Sequence, residues 1–262
     1  MKHIKTIITV LVLVAAAASC KSQYDILLES NDVNSKYKAA FDYFNEGKYT
    51  KSAALFESLA LFTNGTSKDD TVQYYWALSN YSNKDYYTAQ ANFDHFLENY
   101  PMSSFAENAK FLRIDCLYKA TLRYELDQKP TYTAITAISQ YLIDYPDGAN
   151  AEVCRYMLQD LGERLDKKAF ENARLYYKME DYKASRVALK NVLKDDAENI
   201  YREDILYYAA MSSYKYADMS VKEKQKERFL VFIDDYFNFI GEYPESAYRK
   251  ELDNLYAKVR EN

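Results

Sequence analysis

A spaced triplet recurs down this chain and constrains its fold more than any other feature: a large residue, a small one three later, and a bulky one four after that. It is clearest between Lys84 and Pro101, where Tyr86, Ala89 and Phe93 form the triplet. Phe96, Leu97 and Tyr100 extend the same helical face until Pro101 stops it. Tyr49, Ser52 and Phe56 repeat the pattern, as do Thr131, Ala134 and Ile138, then Tyr182, Ser185 and Leu189, and most faintly Phe229, Phe232 and Tyr236. The lead residues lie 37, 45, 51 and 47 positions apart, and Tyr-Pro closes three of the five units, at Tyr100-Pro101, Tyr145-Pro146 and Tyr243-Pro244. Each triplet helix is preceded by another. Thr71 to Asn83 carries its own stripe of Val72, Tyr75, Trp76 and Ser79, and Lys84-Asp85 is the turn between the two.

A single helical hairpin cannot bury its apolar face, so hairpins of this period must stack on their neighbours. The predicted fold class is therefore all-α, a tetratricopeptide-like α-solenoid of about five helical hairpins with a C-terminal capping helix. Such stacks leave a concave surface that typically receives another protein.

The first residues are processing sequence rather than fold. Lys2 and Lys5 precede an uncharged apolar run from Ile7 to Ala18, which is too short to span a bilayer, and small residues lead into Cys20. A cysteine directly after small residues looks like a bacterial lipoprotein signal, with residues 1–19 removed and Cys20 lipidated, although Ala17 stands where Leu is commonest. The alternative is ordinary cleavage near Ser19 that leaves Cys20 a free thiol, a liability in an exported protein. Without Lys2 and Lys5, 32 basic face 39 acidic residues, a formal charge of −7, which argues against nucleic acid as a partner. The lipid would be the only membrane anchor.

The predicted organisation is a lipidated tether over 20–35, N-terminal repeats 1–3 over 36–148, and a long linking helix with repeats 4–5 and the cap over 149–262. Within the tether, Ile26, Leu27 and Leu28 offer a short apolar contact. Gly47 sits at the C′ position of the first turn, where a left-handed backbone is needed. Asp69 or Asp70 is placed to cap the next helix, and Ser104 with Glu107 reads as a capping box. A proline-free stretch from Ala149 to Lys178 predicts one long helix, with Gly162 as the place for a kink.

Little here points to an enzyme, and no cofactor or metal is expected. After signal removal His95 is the only histidine, so there is no pair for metal binding or general-base chemistry. Cys116 and Cys154 read as two buried thiols rather than a bridge. Asp69-Asp70, Asp195-Asp196 and Asp234-Asp235 read as caps and solvated faces, and the five glycines are too scattered for a phosphate loop. Among the aromatics from Tyr74 to Tyr81, Tyr75 and Trp76 are the expected core. Gln73, Tyr74 and Asn80 are the candidates to face the groove and hydrogen-bond an extended peptide.

The signal, the five hairpins and the Tyr-Pro closures together resemble the BamD family, lipoproteins of the outer-membrane β-barrel assembly machinery. The family phrase stands here as Tyr86, Ala89, Phe93, then Phe96-Leu97-Glu98-Asn99-Tyr100-Pro101 with Ser103 following. The resemblance covers essentially the whole mature chain and is strongest from Phe41 to Ala109 and from Ala173 to Leu193. It implies a periplasm-facing outer-membrane lipoprotein whose C-terminal half docks on the barrel-forming subunit. Its N-terminal repeats would bind unfolded outer-membrane proteins, and accessory lipoproteins are further possible partners. The family's docking Asn-Arg pair falls on Val187-Ala188 here, leaving Arg186 and Lys190 nearby as replacement contacts, and the fourth unit has Asp195-Asp196-Ala197 in place of Tyr-Pro. The competing reading is another periplasmic repeat lipoprotein, an envelope-division or peptidoglycan-linked adaptor or a surface glycan binder.

Overall fold

The structure is a computed structural model that describes residues 22–261, so the signal segment and Cys20 lie outside the described residues. Those residues form twelve α-helices and no strand: α1 Gln23–Glu29, α2 Val33–Asn45, α3 Tyr49–Thr63, α4 Asp69–Ser82, α5 Tyr86–Asn99, α6 Ala106–Lys119, α7 Lys129–Asp144, α8 Ala151–Lys178, α9 Tyr182–Asp195, α10 Arg202–Asp218, α11 Lys222–Glu242 and α12 Arg249–Arg260. The tetratricopeptide-like α-solenoid class read from the repeat is the class observed. Two compact units are present, one running to Ala120 and including Ile143–Asn150, the other comprising Thr121–Leu142 and the chain from Ala151 onward.

The triplet is a burial code. Its small members Ser52, Ala89, Ala134 and Ser185 and its bulky members Phe56, Phe93, Ile138 and Leu189 are all fully buried, and in the fifth unit Phe232 is fully buried and Tyr236 nearly so. A small residue lets the preceding helix approach, and the bulky one a turn later fills the space beside it. Where the small residue is serine, it also forms a polar bond to a neighbouring helix. Ser52 Oγ donates to Ala40 O at 2.9 Å and lies 3.0 Å from Ser79 Oγ, and Ser212 Oγ donates to Ser185 Oγ at 2.9 Å. Full burial of each large apolar side chain contributes roughly 1.5–3 kcal/mol against leaving it exposed.

In the first unit, α2 and α3 form one hairpin and α4 and α5 the next, with α6 packed on α5. Tight turns join the helices of each hairpin. Gly47 after α2 has φ +73°, and Lys84 between α4 and α5 has φ +64°; in the second unit Glu180, between α8 and α9, has φ +63°. Asp85 and Asp181 follow the two non-glycine positions, and each carboxylate caps the next helix by accepting from Thr88 N and Ala184 N.

Three local expectations are corrected. The stretch read as a polar tether forms α1, started by a capping box of Ser22 and Asp25, and Leu27 and Leu28 pack on the first core while Ile26 stays exposed. No capping box forms at Ser104. The helix begins at Ala106, and the Glu107 carboxylate accepts from Ala149 N instead. Asp69 caps no helix end either. It is the first residue of α4, buried, where it accepts from Thr63 Oγ1, Gly65 N and the Tyr100 hydroxyl and so fastens the α3–α4 loop to the end of α5.

In the second unit α8 is 28 residues long and helical through Gly162. It packs on α9 and α10, α10 packs on α9 and α11, and α12 lies on α10 and α11.

Candidate functional site

The peptide-binding candidates of α4 are placed in the first unit's interior. Tyr74 is 4% exposed, and its ring stacks on Phe105 with centroids 4.4 Å apart and planes 10° apart. Its hydroxyl accepts from Asn108 Nδ2 at 2.6 Å, and burial raises the phenol's pKa. Packed between helices, Tyr74 cannot line an open groove, so that expectation is corrected. Gln73 and Asn80 are buried as well, at 9% and 8% exposed, and Asn80 Nδ2 has no hydrogen-bond partner among the described residues. Tyr75 packs on Phe41, Phe44 and Phe56 as a core residue should, but it and Trp76 are only half-buried.

Tyr74 is buried because it belongs to a second repeat that the triplet does not reveal. Phe105, Tyr201 and Tyr248 each stand immediately before a helix (α6, α10 and α12), and each stacks flat on an aromatic of an earlier helix. Phe105 meets Tyr74; Tyr201 meets Phe170 at 5.1 Å and 10°; Tyr248 meets Tyr207 at 4.0 Å and 13°. The polar contacts repeat too. Tyr74 is bonded to the residue three after Phe105, and Tyr207 donates to Glu251 Oε2, three after Tyr248. The readable signal was spacing: Tyr74 to Phe105 and Phe170 to Tyr201 are both 31 positions apart.

The docking candidates of α9 meet in the second unit. Arg186 grips Asp235 of α11 with two bonds, Nε to Oδ2 at 2.5 Å and Nη2 to Oδ1 at 2.9 Å, while Lys190 Nζ reaches Asp235 Oδ1 at 2.7 Å. The Asp235 side chain is 2% exposed, whereas those of Arg186 and Lys190 are 26% and 40% exposed. The reading of Asp234-Asp235 as a solvated pair therefore fails for Asp235. A carboxylate buried to this degree requires a compensating charge, and two cations one helical turn apart supply it.

Beside this clamp a cleft of about 210 Å³ opens between α9 and α11, floored by Ser213 and Tyr216 of α10. Tyr182, Lys183, Arg186 and Val187 line one wall and Arg228 and Val231 the other, with the Arg228 guanidinium 4.1 Å over the Tyr216 ring. Val187 and Val231 remain 54% and 38% exposed. Exposed apolar side chains beside Lys183 and the held Arg186 and Arg228 form a surface suited to a partner with an apolar centre and acidic rim.

Elsewhere, His95 is exposed and bonded to Asn99, and Cys116 and Cys154 are free buried thiols whose pKa values burial pushes up to about 12 and about 11. Among the described residues no three potential ligands gather as for a metal ion, and no helix is long and apolar enough to cross a membrane.

Among solved structures, the chain is similar to a TPR repeats protein from Bacteroides fragilis, at 16% identity and TM-score 0.41, over 88% of this chain and 99% of that one. A comparison with curated proteins finds no match. The family model described as "YfiO: Outer membrane lipoprotein" matches residues 29–229, from the end of α1 into α11. On that match over most of its length, this chain belongs to the YfiO family of outer membrane lipoproteins.

Proposed function

We propose that this protein is a lipid-anchored, periplasm-facing scaffold subunit of the β-barrel assembly machinery of the outer membrane. Membership of the outer membrane lipoprotein family over residues 29–229 is the observation that carries this reading. Cys20 is the lipidated residue and the anchor. Arg186 and Lys190 dock the barrel-forming subunit, acting together with the exposed valines of the α9–α11 cleft. The Asp235 clamp supports the assignment, because it fixes both cations before a partner arrives and so lowers the ordering cost of binding. Unfolded outer-membrane proteins are bound by the N-terminal hairpins through surface positions other than the buried Gln73, Tyr74 and Asn80.

The test is gentle co-purification of the lipidated protein from native membranes, with mass spectrometry of what accompanies it. A large outer-membrane barrel protein with periplasmic repeat domains is expected, lost together with membrane association in Cys20→Ala and weakened in the double variant Arg186→Ala/Lys190→Ala. Recovery of peptidoglycan-linked or division proteins alone would overturn the reading.

A further inference from the structure

Among the described residues, α12 lies along only part of α11. α11 has 21 residues and α12 has 12, so at 1.5 Å per residue about 13 Å of α11, some two and a half turns, extends beyond its cover. The two run antiparallel. Tyr236 stacks on Tyr256 at 4.5 Å and donates to Asp253, and further along the same face Val259 lines one cavity with Ile233 and Phe229. Past Val259 the stripe continues through Leu230, Lys226 and Lys222, and Leu230 is 61% exposed. The cavity is about 380 Å³. Of its lining, Lys222, Gln225, Lys226 and Phe229 fall within the family match and Leu230, Ile233 and Val259 beyond it.

We infer that this open stretch of α11 is a docking groove for an acidic amphipathic helix of a partner protein, two to three turns long. The position selects a helix, because among the described residues the covered part of this face of α11 is covered by a helix, α12. Charge selects an acidic one. Lys222 and Lys226 rim the groove, neither is ion-paired among the described residues, and no carboxylate lines the cavity, although the chain as a whole is acidic. Phe229, Ile233 and Val259 supply the apolar floor. A second copy of this chain is a poor occupant, since a two-fold contact would bring the lysines of both copies together. A membrane surface is disfavoured by shape, because the apolar residues floor a cavity rather than crown a projection.

The experiment uses the full chain and a fluorescent, stapled 14-residue helical peptide with leucines on one face and glutamates on the other, beside a copy with lysine in place of glutamate. Fluorescence anisotropy should show saturable binding of the acidic peptide only. The variant Lys222→Glu/Lys226→Glu should weaken it by about tenfold or more, as should Leu230→Asp. All of these positions are at least partly solvent-exposed, and if Leu230→Asp unfolds, the double lysine variant carries the test alone. Equal binding of both peptides, or no effect of the lysine variant, overturns the proposal. It is also overturned if the acidic peptide fails to bind while the lysines support pelleting with phosphatidylglycerol vesicles. A concentration-dependent dimer abolished by Leu230→Asp, without peptide binding, overturns it in favour of self-pairing.

Discussion

Replacing Tyr74 separates a packing residue from a binding residue, because its ring and hydroxyl do different work. The ring is 4% exposed, stacked on Phe105 at 4.4 Å and set at steep angles to Tyr75 and Phe96 at 5.4 and 5.7 Å. Truncating such an aromatic costs about 3–5 kcal/mol, within which the Phe105 stack accounts for about 0.5–1.5 kcal/mol. Tyr74→Phe keeps the ring and removes one bond from Asn108, which is exposed and can return to water, so about 0.5–1 kcal/mol is expected. Trp76 is the only tryptophan and lies on the same helix, so its fluorescence during urea unfolding reports on this unit. With a urea slope near 2 kcal/mol/M, Tyr74→Ala should lower the midpoint by about 1.5–2.5 M and Tyr74→Phe by under about 0.5 M. Pairing Tyr74→Ala with Phe105→Ala should give less than the sum of the two, by the worth of the stack. If Tyr74→Ala costs less than about 1 kcal/mol, or Tyr74→Phe abolishes binding of an unfolded outer-membrane segment at unchanged stability, the ring faces a partner and the packing argument is wrong.

Three further outcomes follow from the same structure. Lys84→Gly and Glu180→Gly should each raise thermal stability, by up to about 1 kcal/mol, since both residues hold φ above +60° at a cost that glycine largely avoids; lowered melting temperatures would show that their side chains matter more than their backbone. Asp235→Ala should destabilise the chain by about 2 kcal/mol in urea unfolding, less than for a fully buried pair because Arg186 and Lys190 retain water, whereas Lys190→Ala should cost about 0.5 kcal/mol; equal costs would refute the clamp. Alkaline pH should loosen the fold: burial with Asp69 raises Tyr100, burial with Asp253 raises Tyr236, and Asp204 with burial raises Tyr248, each to about 12 from an ordinary 10. Folded values above the unfolded one mean that this stabilisation is complete below pH 10 and is lost as pH rises towards 12, so circular dichroism and phenolate absorbance should change together across that window.

The triplet was readable because it records a local constraint. Within eight residues of one helix, a small side chain sets the approach distance and a bulky one fills what remains, so the pattern appears wherever a hairpin closes. The helix-entry stacks were harder to see, since Tyr74, Tyr75 and Trp76 are consecutive and together span much of the helix circumference. No local property ranks them. What selects Tyr74 is Phe105, and its interval of 31 residues recurs at Phe170 and Tyr201 but stretches to 41 at Tyr207 and Tyr248, where the intervening α11 is 21 residues long against 14 for α5. Asp235 was misread for a related reason. Its burial depends on cations 49 and 45 positions upstream, and nothing in Asp234-Asp235 itself distinguishes the buried carboxylate from its exposed neighbour.

On the proposed docking role, the clamp lets Arg186 and Lys190 hold the fold and still meet a partner. Arg186 uses Nε and Nη2 on Asp235, which leaves Nη1 for a second carboxylate. Asp235 cancels one of the two positive charges it holds, so the cluster of Arg186, Lys190 and Asp235 keeps a net +1 beside Val187. An acidic partner group can therefore join the cluster without displacing Asp235, and the desolvation cost of the ion pair has largely been met during folding. Lysine in place of Arg186 would lose this property: a single ammonium cannot reproduce the two-point grip and also present a fixed edge outward. On the docking reading, Arg186→Lys should keep much of the stability of the α9–α11 contact while weakening the partner, a separation that a purely structural salt bridge would not produce.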